Sequence, residues 1–268
     1  MHPEIIHIGR FAVRSWGLMA ALAFLVGLFI ASLRAPKFNI NKNVVPDILL
    51  VILVSSLLGS RFFYVIFHLD EFRGNWMSTI NPFAGDGAFG IAGLSMMGGI
   101  VFAIIATWAY TKIKKVPFLD LGDTIAPGFL IGAGITRIGC FLNGCCFGRP
   151  TDSILGTLFP PHCPAGDIYP HTHIHPTQIY ASLLGFAFFG LVLILERFHS
   201  FRGFTMWMVL LLYSIDRFIV DMFRHYEAKQ VLFNIGHAMF SVNELVVVGL
   251  FVLSAVMLIK GYKKKNAN

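Results

Sequence analysis

Three arginines, Arg61, Arg137 and Arg217, each lie inside a long apolar run of this 268-residue chain. An arginine within a membrane span costs on the order of 2.5–3.5 kcal/mol even on the gentlest scale, so three of them require a shared reason. Snorkelling to headgroups or pairing with a carboxylate would account for one. Together they suggest an anion site, because the guanidinium fork grips phosphate through two parallel hydrogen bonds. The stretch YSIDRFIVDMFRHYE strengthens this reading: Arg217, Asp221 and Arg224 stand at i, i+4 and i+7, on one face of a helix. Asp221 is placed to orient both arginines, whereas Asp216 points away and is expected to pair with another buried arginine.

A second concentration of chemistry is ITRIGCFLNGCCFGRP, residues 135–150, which holds Arg137, Asn143, Cys140, Cys145 and Cys146. The fourth cysteine, Cys163, lies in PPHCPAGDIYPHTHIHP with His162, His171, His173 and His175. Sulfur and imidazole at this spacing could ligate zinc or copper. The cysteines lack a regular C-x-x-C spacing, and an oxidising compartment favours disulfides. A disulfide from Cys163 to Cys145 or Cys146 is the expectation, with metal binding and free thiols as the alternatives.

These residues must be positioned by membrane helices. The chain is 56% hydrophobic and 13% charged, with mean hydropathy +0.71, a balance that excludes a soluble domain of this size. Seven apolar runs of about 20 residues, enough to cross roughly 30 Å of hydrocarbon, fall near 16–33, 48–67, 91–111, 124–142, 177–196, 204–224 and 240–260. The runs do not alternate, so helices rather than barrel strands are expected to make the spans. Of the 21 basic residues, twelve follow odd-numbered runs and six lie on the other face, which predicts seven helices with the N-terminus outside and the C-terminus cytoplasmic. The net charge of +7 is therefore assigned to topology and anionic lipid rather than nucleic acid. No removable signal peptide is evident, and the chain reads as one domain over residues 1–268, with outer loops at 68–90 and 149–175. Glycines in the third and fourth runs have the spacing that lets helices approach closely.

The motifs resemble, in order, those of the bacterial prolipoprotein diacylglyceryl transferases. TRIGCFLNGCCFG is similar to the family's G-R-x-G-N-F-x-N-x-E-x-x-G, keeping Arg137, Gly139, Phe141, Asn143 and Gly148. VRSWGLM, GSRFFYVIFH, GLSMMGG, HPTQIYAS and LLYSIDRFIVDMFR resemble further family motifs across nearly the whole chain. The resemblance implies a bacterial inner-membrane enzyme that takes the diacylglyceryl group of phosphatidylglycerol, releases glycerol 1-phosphate, and attaches the lipid by a thioether to the lipobox cysteine of a prolipoprotein signal peptide.

Carried onto this sequence, the resemblance implies catalytic roles for Arg137 and Arg217, with His175 as the nearest candidate base. It implies substrate binding by Arg61, Asn143, Gly148, Arg224, Asp221, Gly139 and Tyr180, and no cofactor or metal. The departures concern chemistry. Cys140 replaces an Asn, Cys145 a Glu, Met97 a histidine, Trp16 a tyrosine and Asp221 a glutamate, and Ala181 or Ser182 stands where a further glutamate is expected. They leave open an alternative on the same scaffold, a paralogue with altered substrate that binds lipid or metal at its outer face.

Overall fold

The computed structural model describes residues 4–8, 11–73, 79, 93–198, 201–226, 231–235 and 238–266. Helices dominate: α1 Ser15–Arg34, α2 Val44–Phe67, α3 Leu69–Phe72, α4 Met96–Ile113, α5 Phe118–Asn143, α6 Pro164–Ile168, α7 Thr177–Leu195, α8 Phe204–Asp221 and α9 Val242–Asn266. Two short strands, β1 Glu4–Ile8 and β2 Phe11–Arg14, precede α1; two more, β3 Val231–Ile235 and β4 Ala238–Ser241, pair antiparallel before α9.

Among the described residues, six helical segments are long and apolar enough to cross a membrane: Ser15–Phe38, Val44–Phe67, Met96–Ile113, Phe118–Asn143, Thr177–Phe198 and Glu244–Lys265. They coincide with six of the seven expected runs. The remaining run becomes α8, whose 18 residues include Asp216, Arg217 and Asp221. These three side chains are buried, so protein rather than lipid compensates their polarity. Large apolar side chains such as Leu25, Phe29, Leu58 and Ile104 are exposed, as surfaces facing hydrocarbon are.

The chain forms two compact units, one built on Val13–Arg34 and Gly122–Asn268, the other on Ala35–Leu121. In the smaller unit α2 packs on α4 through glycines. A Cβ at Gly98 would stand 2.3 Å from the Gly59 carbonyl oxygen, and one at Gly99 2.5 Å from Ser60 Oγ. In the larger unit α1 meets α5 in the same way: a Cβ at Gly128 would lie 3.0 Å from the Gly27 carbonyl oxygen. Here the expected small-residue packing is present.

The larger unit is also held by buried charge. Arg34 ends α1 inside the protein, ion-paired with Glu196 and donating to the carbonyls of Asp123 (2.8 Å) and Thr124 (3.3 Å). Arg34 follows the first apolar run and so is one of the twelve basic residues assigned above to topology and anionic lipid. The structure corrects this, because its counter-charge arrives from 162 residues away. Asp123, on α5, accepts hydrogen bonds from the backbone N–H groups of Gly203 (2.7 Å) and Met206 (2.8 Å). Those two donors are orphans at the start of α8, and a carboxylate from another helix does the work of a capping box. The negative charge also opposes the positive end of the helix dipole.

The variant Asp123→Asn turns an NH2 toward one of these donors and removes the charge. It is expected to cost roughly 1.5–3 kcal/mol, the scale of a hydrogen bond to a charged group. Thermal unfolding of the purified protein in detergent should show a clearly lowered midpoint, and an unchanged midpoint would exclude this capping role.

Candidate functional site

Arg137 sits on the last third of α5, six residues before the helix ends at Asn143. Its guanidinium lies within electrostatic reach of Cys140, Cys146, Tyr213 and Asp216. Among the described residues no carboxylate pairs with it and no group accepts a hydrogen bond from it. One Asp216 carboxylate oxygen is likewise buried without a partner. The expected pairing of Asp216 with a buried arginine is thus electrostatic rather than a direct contact.

Arg217 is 8% exposed and committed to Asp221, with Nη2 2.9 Å from Oδ1 and 3.0 Å from Oδ2. Arg224 approaches the same carboxylate at 3.9 Å. Asp221 therefore lies between the two arginines, as expected, but not along a continuous helix. α8 ends at Asp221, and Arg224 stands in an extended segment bridged to Gly148. A neighbouring loop fixes this segment: the Arg149 guanidinium donates to the Met222 carbonyl and its backbone N–H donates to Phe223 O at 3.0 Å. The carbonyls of the last turn of α8 are taken by the backbone that follows, Phe223 N–H on Val220 O at 3.1 Å and Arg224 N–H on Asp221 O at 3.3 Å, while Arg149 holds the two carbonyls just beyond the helix. Arg149, which the sequence offered only as a loop charge, is a positioning residue.

Gly148 occupies the junction of three backbone segments. Its N–H donates to His175 O at 3.0 Å, and a Cβ there would lie 2.6 Å from that oxygen and 2.7 Å from Phe223 O. Only glycine fits. Gly139 faces α1, where a Cβ would meet Met19 Cβ at 2.8 Å, so helix packing accounts for it.

His175 is half-buried, its Nδ1 3.2 Å from the Tyr180 hydroxyl, with the two rings edge to face. Burial, reinforced by the charge of Arg149, lowers its pKa below the ordinary value. Next to it, α7 fixes the segment that follows α5. Gln178, which is fully buried, donates to Cys145 O at 2.7 Å, and Thr177 donates to Cys146 O at 2.9 Å. Asn143, at the end of α5, lies close enough to Cys145 to act on its thiol. Gln178 and Thr177 belong to the quoted HPTQIYAS motif, but their partners could not be read from it.

None of the four cysteines is disulfide-bonded. The expected bridge from Cys163 to Cys145 or Cys146 is absent because Cys163 turns its thiol to the Pro160 carbonyl at 3.1 Å. The sulfurs of Cys140, Cys145 and Cys146 instead gather within 4.8 Å of one another. Thiols donating to Cys146 lower its pKa, and the charges of Arg224 and Arg137 act in the same direction.

A cleft of about 220 Å³ opens at Arg224, lined by Arg149, Tyr169, Asp221, Met222, Arg224, His225 and Tyr226. Tyr226 covers Arg224, with the guanidinium 5.5 Å from its ring centre. Burial first, and then the charge of Asp221, pushes its hydroxyl up to about 12, so it stays a neutral donor. The site can hold an anion between fixed cations, with a neutral imidazole and thiols nearby.

Arg61 belongs to the smaller unit. Its guanidinium donates to the carbonyls of Thr79 (2.8 Å) and Gly93 (3.1 Å) and lies over the Phe72 ring at 5.2 Å. Met97 stands in the first turn of α4 in the same unit and brings no titratable group.

Residues 3–260 match the family model described as prolipoprotein diacylglyceryl transferase. A phosphatidylglycerol–prolipoprotein diacylglyceryl transferase of Clostridium perfringens is 31% identical, with 82% of each chain covered. Proteins of the same name from Clostridium botulinum and Fusobacterium nucleatum are 28% and 29% identical, covering 82% and 84% of this chain and 86% and 88% of their own.

The Asp221→Asn variant leaves the Arg217 charge buried without its counter-charge. Removing one partner of a buried pair costs roughly 3–5 kcal/mol. The melting temperature in detergent should fall well below that of Asp70→Asn, which breaks only the exposed 3.2 Å pair with Arg73. Equal midpoints for the two variants would contradict the role given to Asp221.

Proposed function

This chain belongs to the prolipoprotein diacylglyceryl transferase family, and from that premise we propose that it moves the diacylglyceryl group of phosphatidylglycerol onto a prolipoprotein cysteine. The observation that carries the reading is Arg137, a guanidinium inside a membrane helix with no hydrogen-bonding partner among the described residues. A phospholipid phosphate is the anion that a membrane offers it.

The reaction forms a sulfur–carbon bond at the glycerol carbon that bears the phosphate and breaks that carbon–oxygen bond. Glycerol 1-phosphate leaves, and the thiol proton passes to a base. Charge builds on the departing phosphate, so cations already in place lower the barrier without reorganising. Arg137 takes the phosphate, supported by Arg217 and Arg224. Asp221 holds those two in orientation, so that their charge is shared between the carboxylate and the substrate. Asn143 and the Gly148 junction shape the headgroup pocket. His175, steadied by Tyr180, accepts the proton as a neutral imidazole. The acceptor is the lipobox cysteine of a signal peptide, the site faces the outer leaflet of the bacterial inner membrane, and α8 completes seven spans with the N-terminus outside.

Arg137→Ala should insert and elute as the parent does yet lose transfer by roughly 100-fold or more, the cost of removing one preorganised charge-stabilising donor. The assay mixes purified protein, phosphatidylglycerol vesicles and a lipobox peptide, and detects the thioether product by mass spectrometry; undiminished turnover removes Arg137 from the site.

The lowered pKa of His175 also sets a sign. The protonated form is disfavoured, so the base form persists into more acidic solution than for a free imidazole of about 6.5. The acid limb of the transfer rate should therefore lie below pH 6.5, and it should disappear from the residual activity of His175→Gln. A limb at or above pH 6.5, or one unchanged in the variant, excludes His175 as the base.

A further inference from the structure

We propose that Cys140, Cys145 and Cys146 form a three-thiolate site for a soft cation, Cu(I). Their sulfurs lie within 4.8 Å of one another, and no imidazole or carboxylate joins the group among the described residues. A metal–sulfur bond of about 2.3 Å sets sulfur–sulfur separations near 4 Å in a planar three-coordinate complex, so closure requires only a small contraction. Thiolate ligands select soft ions, and zinc in structural sites takes four ligands rather than three. Three sulfurs alone match Cu(I).

The backbone is arranged for this in advance. Cys140 sits in the last turn of α5 and is buried. The chain then reverses through Gly144 (φ 70°) and Cys146 (φ 58°), both in the left-handed region. This reversal returns two thiols toward the first, and the Cys145 N–H donates to Cys140 O at 3.1 Å. Gln178 and Thr177 hold the carbonyls of Cys145 and Cys146 from α7, so ligation has little loop entropy to overcome. Three thiolates with one monovalent ion carry two negative charges, and Arg137 and Arg224 both act on Cys146 to balance them. Cys163 is engaged with Pro160 and takes no part.

The test uses the full-length protein, purified in detergent under anaerobic reducing conditions and titrated with Cu(I) against bicinchoninate. One copper per chain is expected, with three sulfurs and no nitrogen in its first shell by X-ray absorption. Cys140→Ser, Cys145→Ser and Cys146→Ser should each weaken binding at least tenfold, Cys163→Ser should leave it unchanged, and Zn(II) should bind at least tenfold more weakly than Cu(I). Each variant is first matched to the parent in elution and thermal transition; where one fails to fold, the copper stoichiometry and sulfur count of the parent decide. Absence of uptake, retention of copper by the triple serine variant, equal loss in Cys163→Ser, or a disulfide among the three cysteines in the reduced protein would overturn the proposal.

Discussion

A charge removed from water must find an opposite charge or a set of oriented dipoles, and in this molecule that requirement organises the larger unit at two levels. At one end Arg34 and Glu196 tie α1 to the end of α7, with carbonyls of α5 completing the arginine's hydrogen bonds. At the other, Arg217 and Asp221 neutralise each other within α8, with Arg224 drawn in from the segment beyond. Arg137 stands out against this pattern. Its neighbours are thiols, a tyrosine and a carboxylate that acts only at a distance. Unlike Arg34 and Arg217, it has no hydrogen-bonding partner among the described residues.

The helices were legible because the bilayer imposes a length and a composition, and six apolar runs emerged as helices within a few residues of where hydropathy put them. What the sequence concealed were partnerships over long separations. Arg34 has the appearance of a loop cation until Glu196 is placed beside it. Asp123 is one more acidic residue near a helix start, and nothing local shows that it terminates a different helix. Arg224 continues a helical spacing on paper, but the helix ends at Asp221 and the segment that follows is held by Arg149.

The same distinction applies within the site. The motif containing Arg137 identified the relevant region, and Gly148 proved to be a position where a side chain would collide with two backbone strands. The motif containing His175 suggested an imidazole, whereas its neighbours Gln178 and Thr177 were revealed only by the carbonyls they grip. The cysteines were conspicuous in one dimension. Their grouping depends on two left-handed residues in succession of turn and chain, which leave Cys163 outside.

The way α8 is terminated bears on assembly. Its first turn is closed by Asp123 on α5, and the segment just beyond its last turn is held by Arg149 after α5, so neither flank is complete while the helix stands alone. With three charged residues in its C-terminal third it is also a poor guest for hydrocarbon. Assembly is therefore ordered: α5 has to be seated before α8 can settle, so α8 joins as a ligand of α5 and not as an independent span.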